Sequence, residues 1–231
     1  MKPFVRLAAL MLVAIFVAGC DDEPAQRKAF IEFLQTRIID KPGFHVPILS
    51  EEDGKKFGPY AKHYAVIADF NSGLDRAVTT PMQGVMQRGS IHSLDEVMTR
   101  HADIVALRDG MGELRGALDK QLAAADAAHA ALKQPDDLKP VFDKAYEKDV
   151  TVPAQAFADI FPDLSQALTA IADLGDFLEQ HKDKIKITGL LIQTTDPTLQ
   201  PELAAHVNAL SAKTAAINKA QQRLRAILQG S

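Results

Sequence analysis

Apolar residues recur every three or four positions through most of this chain, which is the spacing of helices that bury one face. The most regular stripe runs from Phe157 to Leu178, and similar stripes follow Tyr60, Leu94 and Leu203. Proline, glycine or a capping residue bounds each segment. The pattern therefore predicts an all-α fold, an elongated multi-helix bundle with four long helices and two or more short ones.

Helix breakers and capping residues indicate where these helices begin and end. We expect a helix over residues 24–40 and long helices over residues 60–87, with a kink at Pro81, and 94–132. A shorter helix is expected to begin with Asp136 as its N-cap, and residues 151–153 to stop it. The next helix should bend or split at Pro162, because proline removes a backbone donor from the helix interior.

Two stretches depart from the helical pattern. Residues 44–49 are mostly apolar but lack helical spacing, so we expect a loop packed over the bundle. Polar and apolar residues alternate over 184–188, Gly189 interrupts this pattern, and a short apolar run follows. This pattern predicts a small β-hairpin near residues 184–194. An isolated hairpin is marginally stable, so it should pack on the helices.

The N-terminal stretch has the composition of a secretory signal peptide. Lys2 and Arg6 precede an apolar run over residues 7–17, which is shorter than the roughly 20 residues of a bilayer span. Residues 17–20 (Val-Ala-Gly-Cys) resemble the lipobox of bacterial lipoproteins, whose cysteine receives diacylglycerol and often a further chain such as palmitate. An uncleaved anchor helix with an incidental cysteine is the alternative. We predict three parts: signal peptide 1–19, lipidated tether 20–23 attached through Cys20, and a single helical periplasmic domain over 24–231.

Two acidic residues follow the cysteine directly. Asp21 and Asp22 resemble the retention signal that keeps enteric lipoproteins in the inner membrane. The alternative is that they simply begin a solvated linker. We therefore expect the protein to face the periplasm and to favour the inner membrane over the outer membrane.

Composition narrows the classes of function. The 231 residues suffice for one full core, and Cys20 is the only cysteine, so no intramolecular disulfide can form. The formal net charge is −4 and no block of basic residues follows the phosphate spacing of a nucleic acid, which argues against such a partner. Alanine is abundant and tryptophan absent, a mix that favours helices packed through small and aliphatic side chains.

Few residues form a pattern that indicates chemistry. Asp126 and His129 have the i, i+3 spacing of metal ligands, but a di-iron bundle needs two Glu-x-x-His pairs and two further glutamates. A hydrogen bond between helices is the favoured interpretation of this pair. Asp136, Asp137 and Asp143 complement the dipole of a helix start. The histidines show no His-x-x-x-His spacing and no serine lies in a nucleophile elbow, so we predict no metal, no cofactor and no enzymatic activity.

Polar residues interrupt otherwise apolar helix faces at three positions: Asn71, Thr214 and Gln221. One interpretation is a buried polar network that fixes helix register, as single polar residues do in coiled coils. The other interpretation is that they line a cavity for a ligand.

Several stretches together resemble a known family. They are residues 26–31 (Gln-Arg-Lys-Ala-Phe-Ile), 57–59 (Phe-Gly-Pro) and, most specifically, 125–143. They are similar to the YiaF-like family, a group of predicted lipoproteins of unknown function from Gram-negative bacteria. The resemblance implies a lipid-anchored, largely helical envelope protein, and it brings no catalytic residue.

Two functional hypotheses follow. The first is a non-enzymatic envelope protein, tethered to the membrane by its N-terminal lipid, that binds another protein or maintains the cell envelope. The alternative is a helical module that binds a small molecule or a lipid. An exposed apolar groove would favour a protein or lipid partner, whereas a closed cavity at Asn71, Thr214 or Gln221 would favour a small ligand.

Overall fold

The structure is a computed structural model that describes residues 22–188 and 191–229. The signal peptide, Cys20 and Asp21 lie outside the described residues, so the predictions about them remain predictions. The helices in the described part are α1 Glu23–Leu34, α2 Glu51–Phe57, α3 Ala61–Leu74, α4 Thr80–Gly89, α5 Leu94–Thr99, α6 His101–Ala131, α7 Lys139–Tyr146, α8 Val152–Gln180 and α9 Gln200–Gln229. The strands are β1 Ile185–Thr188 and β2 Leu191–Thr194.

The predicted all-α bundle with a small hairpin is confirmed. The core lies between α1, α3, α6, α7 and α8, and α9 packs along α8. The hairpin pairs its strands antiparallel, from Ile185 opposite Thr194 to Thr188 opposite Leu191. Ile185, Ile187 and Ile192 pack against the core, which is how a two-stranded sheet remains stable here.

Some predicted boundaries are wrong for identifiable reasons. The expected helix over residues 94–132 is divided at Arg100, whose backbone leaves the helical region at φ −113° and ψ 15°. This break lets the Arg100 guanidinium donate to the carbonyl of Arg88 in the last turn of α4 and to that of Ser90 just beyond it. Asp136 is not the N-cap of α7, because the helix starts at Lys139 and so holds Pro140 in its first turn, where proline is tolerated.

Proline does not stop the chain where we expected it to. The backbone stays helical from Lys139 to Gln180 through a π-helical turn at Glu147–Thr151, two residues before Pro153. A second π-helical turn, Asp75–Thr79, precedes Pro81 in the same way. A proline leaves the carbonyl four residues earlier without its helical donor, and a wider turn absorbs that loss.

Pro162 lies inside α8 without splitting it. The carbonyl that it leaves without a helical donor is that of Ala158. The Arg115 Nη1 group of α6 donates to this carbonyl at 3.3 Å. A side chain from the neighbouring helix therefore replaces the missing backbone donor.

Among the described residues, no helix is both long enough and apolar enough to cross a membrane.

Candidate functional site

The most unusual polar group in the core is the carboxyl of Asp149, in the π-helical turn before α8. Its side chain is 0% exposed, and it is the buried charged residue of the described core. The Oδ1 atom accepts the His45 N–H at 3.5 Å, a long hydrogen bond. The Oδ2 atom has no partner within the described part of the chain. Such a group costs free energy when it is charged, because an ionised carboxylate needs several donors.

Burial raises the pKa of Asp149 to about 7, and the His45 N–H and the charge of Lys148 lower it only partly. Lys148 is occupied elsewhere. Its Nζ donates to the carbonyls of Ile38 at 2.7 Å and Ile39 at 3.1 Å, and also to that of Lys41. These carbonyls lie at the end of the first helical run and just beyond it, so Lys148 caps that end.

Residues 44–49, which we call the strap, cover this part of the core. The Tyr64 hydroxyl donates to the Pro47 carbonyl at 2.6 Å, and Val46 and Leu49 pack against the core. Within the described structure, the strap makes no backbone–backbone hydrogen bond. Ile48 is 96% exposed. The predicted apolar loop over the bundle is therefore present, but few polar contacts hold it.

Beside the strap runs an open groove of about 650 Å³. Its floor is the α3 face that carries Ala61, Ala65, Ala68 and Asn71, and Asp69 and Asp75 lie at its acidic end. A metal or a phosphate would need a strongly polar floor. The floor of this groove is formed mainly by small side chains, and two exposed carboxylates lie at one end.

The predicted polar residue Asn71 connects the groove to Asp149. Its Nδ2 donates to the Ile67 carbonyl at 2.8 Å and to the Asp149 carbonyl at 3.2 Å. The Asp149 carbonyl is the one that Pro153 leaves without a helical donor, so Asn71 satisfies it. Thr214 and Gln221 lie on α9, and their side chains are outside the described part of the structure. The predicted network with Asn71 therefore remains a prediction.

We expect Asn71→Leu to lower the free energy of unfolding by about 1–3 kcal/mol, because it leaves the Asp149 carbonyl buried without a donor. Denaturant unfolding measures this change. Ser72→Ala is the matched control, since Ser72 is exposed on the same helix, and it should change stability by less than about 0.5 kcal/mol. Equal effects of the two substitutions would contradict the role of Asn71.

A second open groove, of about 430 Å³, is more apolar. It lies between the α4–α5 connection, α8 and α9, and its lining includes Met86, Ile91, Leu168, Leu210 and Ile217. Both grooves are open to solvent, so the arrangement favours a large or elongated partner over an enclosed small ligand.

Asp126 and His129 of α6 hold α7, as the favoured interpretation predicted. The Tyr146 hydroxyl donates to the Asp126 carboxylate at 2.7 Å, and the His129 Nε2 lies 2.8 Å from the Asp143 carboxylate. Lys139 donates to the same Asp143 at 2.7 Å. In the described ranges, no cluster of three or more His, Cys, Asp or Glu side chains has the geometry of a metal site.

The other two acidic residues at the start of α7 lie at the surface. Asp137 forms an ion pair with Arg27 of α1 at 3.2 Å, and Asp136 is exposed. Asp137 therefore joins α1 to the α6–α7 connection.

Sequence reasoning predicted the strap as an apolar loop but missed Asp149 and the hydrogen bonds of the strap. One signal could have found the carboxyl, because Asp149 follows Phe142 and Tyr146 at helical spacing and so falls on their buried face. The two hydrogen bonds of the strap have no comparable signal, since they depend on tertiary contacts.

Comparison with known proteins gives matches over nearly the whole chain. A family model described as "Protein of unknown function (DUF3053)" matches residues 8–225. "Uncharacterized protein YiaF" of Escherichia coli K12 is 32% identical over 219 residues, which is 94% of this chain and 92% of that protein. The proteins of the same name from Escherichia coli O157:H7 and Shigella flexneri match equally well. No solved structure gives a significant match.

Proposed function

Because this chain belongs to the DUF3053 family of proteins of unknown function, we propose its function from its own residues. It is a periplasmic lipoprotein that is anchored to the membrane through Cys20. It has no enzymatic activity, and it binds another protein of the cell envelope or helps to maintain the envelope. Its partner is another protein of the cell envelope.

The observation that carries this proposal is the short distance along the chain between Cys20 and the folded core. Helix α1 begins at Glu23, and Phe30 and Leu34 are completely buried. Arg27 fixes the first turn of α1 further through its ion pair with Asp137. A lipid on Cys20 would thus hold the bundle directly at the membrane surface. Each buried CH₂ of such a lipid contributes about 0.8 kcal/mol, and two or more chains anchor stably.

The absence of an enzymatic role is supported by how the acids and bases of the described core are used. The His129–Asp143 and Tyr146–Asp126 pairs join two helices, and Lys148 caps a third.

We expect Cys20→Ser to abolish lipid labelling. Growth with an alkyne fatty acid, followed by dye coupling and gel analysis, should show a labelled wild-type band and an unlabelled, unprocessed Cys20→Ser precursor. The serine hydroxyl is a far weaker nucleophile than the thiolate and does not accept the diacylglyceryl group. Equal labelling of both forms, or normal processing of the variant, would contradict lipid attachment.

The choice of membrane is tested separately. Asp22 is exposed just before α1, and its side chain makes no capping hydrogen bond, so it is accessible to sorting proteins. We expect the double variant Asp21→Ser/Asp22→Ser to move from inner-membrane to outer-membrane fractions on a density gradient. A wild-type protein that already co-fractionates with porins would contradict inner-membrane retention, without affecting lipid attachment.

The alternative function, a lipid-binding helical module, is favoured by one observation, the apolar lining of the groove between α4–α5, α8 and α9. Palmitate should then displace an environment-sensitive dye from the protein. Ile91→Asp, which places a charge in that lining at a half-buried position, should weaken the displacement. Dye binding that neither palmitate nor Ile91→Asp alters would contradict this alternative.

A further inference from the structure

Two hydrogen bonds to core side chains, together with the packing of Val46 and Leu49, hold the strap closed. The Asp149 Oδ1 accepts from the His45 N–H at 3.5 Å, and the Tyr64 hydroxyl donates to the Pro47 carbonyl at 2.6 Å. Both side chains are buried, so opening the strap would expose them to water. The strap can therefore separate from the core without breaking a backbone hydrogen bond of the described helices.

The charge state of Asp149 changes the balance between the closed and open forms. When neutral, the carboxyl loses little by being buried, and it still accepts the His45 N–H. When ionised, it has one long hydrogen bond at Oδ1 and an unpartnered Oδ2. Water entering under the strap would then solvate the carboxylate. We propose that residues 44–49 form a proton-controlled strap, closed over a neutral Asp149 and opened when this carboxyl ionises.

The charged and titratable groups around Asp149 do not compensate its ionisation. Lys148, on the same turn, lowers its pKa, but the ammonium is held by three carbonyls at the end of the first helical run. Tyr64 of α3 donates to Pro47, and burial together with the Asp149 charge raises the pKa of its hydroxyl. The His45 imidazole belongs to the strap itself and lines the groove.

Two further acids line the groove, Asp69 of α3 and Asp75 of the π-helical turn that follows it. Both are exposed and lie at its acidic end. Burial is the largest cause of the raised pKa of Asp149, so the shift belongs to the closed core and not to this exposed end of the groove.

The direction of the pH effect follows from proton binding. Burial raises the pKa of Asp149 from its ordinary value of 3.8 to about 7 in the closed form, and solvation in the open form would return it toward the ordinary value. Between these values the closed form binds more protons, so closing is favoured as the pH falls. Each pH unit in this interval shifts the equilibrium toward the open form by up to about tenfold, and the shift levels off above pH 7.

Opening would reshape the α3 groove, because the strap itself forms one of its walls. Tyr64 and Asn71 line the groove on the α3 side. Release of the strap would thus remove that wall and uncover the surface between Ala61 and Asp75. The proposal concerns regulation of this surface and does not depend on lipid attachment at Cys20.

Amide hydrogen exchange of the full chain, followed by mass spectrometry between pH 4 and pH 8, tests the strap directly. After correction for intrinsic exchange, the strap should lose protection as the pH rises to about 7, above all at the His45 amide, which donates to Asp149. Asp149→Asn, a neutral residue of the same shape, should keep the strap protected throughout. The matched control Asp69→Asn changes an exposed carboxyl and should behave like the wild type. Residues 51–57 are an internal reference, because Ser50 and Asp53 cap their helix and the pKa of Asp53 is lowered.

Each outcome decides the proposal. Strap protection in the wild-type chain that does not change between pH 4 and pH 8 would overturn it, even if the variant does not fold. The same loss of protection in Asp149→Asn as in the wild type would overturn it as well, because another group would then be titrating. A pH-dependent loss in the wild type that disappears in Asp149→Asn alone supports it.

Discussion

Replacing Phe30 with alanine should lower the free energy of unfolding by about 3–5 kcal/mol, the usual cost of removing a fully buried phenylalanine ring. Phe30 is 0% exposed. Its ring centroid lies 5.5 Å from that of Phe57, 5.9 Å from that of Tyr60 and 6.4 Å from that of Phe142. The ring thus joins α1 to α2, to the turn before α3 and to α7, and no single neighbour can fill the cavity.

Chemical denaturation followed by circular dichroism measures this loss. Ile48→Ala is the matched control, because it removes a large aliphatic side chain from a position that is 96% exposed. The control should change stability by less than about 0.5 kcal/mol. A Phe30→Ala effect below about 1 kcal/mol would mean that α1 packs on the bundle less closely than the structure indicates. It would also weaken the argument that an anchor at Cys20 fixes the whole domain at the membrane.

The helices could be predicted from the sequence because each has a continuous apolar stripe. The α8 stripe of Phe157, Leu164, Leu168 and Leu178 is a direct consequence of burying one face, and those residues are buried. The hairpin was predictable for a similar reason, since alternation at residues 184–188 indicates one apolar face. The resemblance to the YiaF-like family, read from short stretches, is confirmed by matches over most of the chain.

The helices that continue past a proline were not predictable from local sequence. Proline ordinarily ends a helix, yet at Pro153 and Pro162 a side chain from another helix donates to the carbonyl left free. Asn71 lies 78 positions before Asp149, and Arg115 lies 43 positions before Ala158. Such compensation depends on how helices pack, so a rule based on the proline alone predicts a break that tertiary contacts remove.

The candidate site shows the same limit. Asn71 stood out in the sequence because it interrupts an apolar stripe, and the structure gives it a polar role beside the groove. Asp149 also interrupts a stripe, but the expected stop at residues 151–153 placed it at a helix end, where an acid is ordinarily solvated. Once the helix is known to continue, its burial follows from the spacing with Phe142 and Tyr146.

The second large effect expected is a pH-dependent stabilisation by Asp149→Asn. The pKa of Asp149 is 3.8 when unfolded and is raised by burial to about 7 when folded. The folded state therefore binds more protons between these values, and the wild type loses stability as the pH rises from about 4 to 7. The asparagine variant lacks this loss. Its advantage should be small at pH 4, should grow with pH, and should level off above pH 7 at roughly 2–4 kcal/mol, or less where opening of the strap relieves the buried charge.

Denaturant unfolding of the wild type and the variant at pH 4, 5, 6, 7 and 8 measures the difference. The difference isolates Asp149, because Asp53, Asp143 and Asp196 have lowered pKa values and lose their stabilisation in both proteins alike at acid pH. Asp69→Asn is again the control, and its difference from the wild type should not vary across this range. A constant difference for Asp149→Asn, or one that grows toward acid pH, would show that the carboxyl is ionised in the folded protein at all these values. The free-energy cost of burying the ionised carboxylate would then have to be offset by hydrogen-bond donors other than those seen around Asp149 in the described residues.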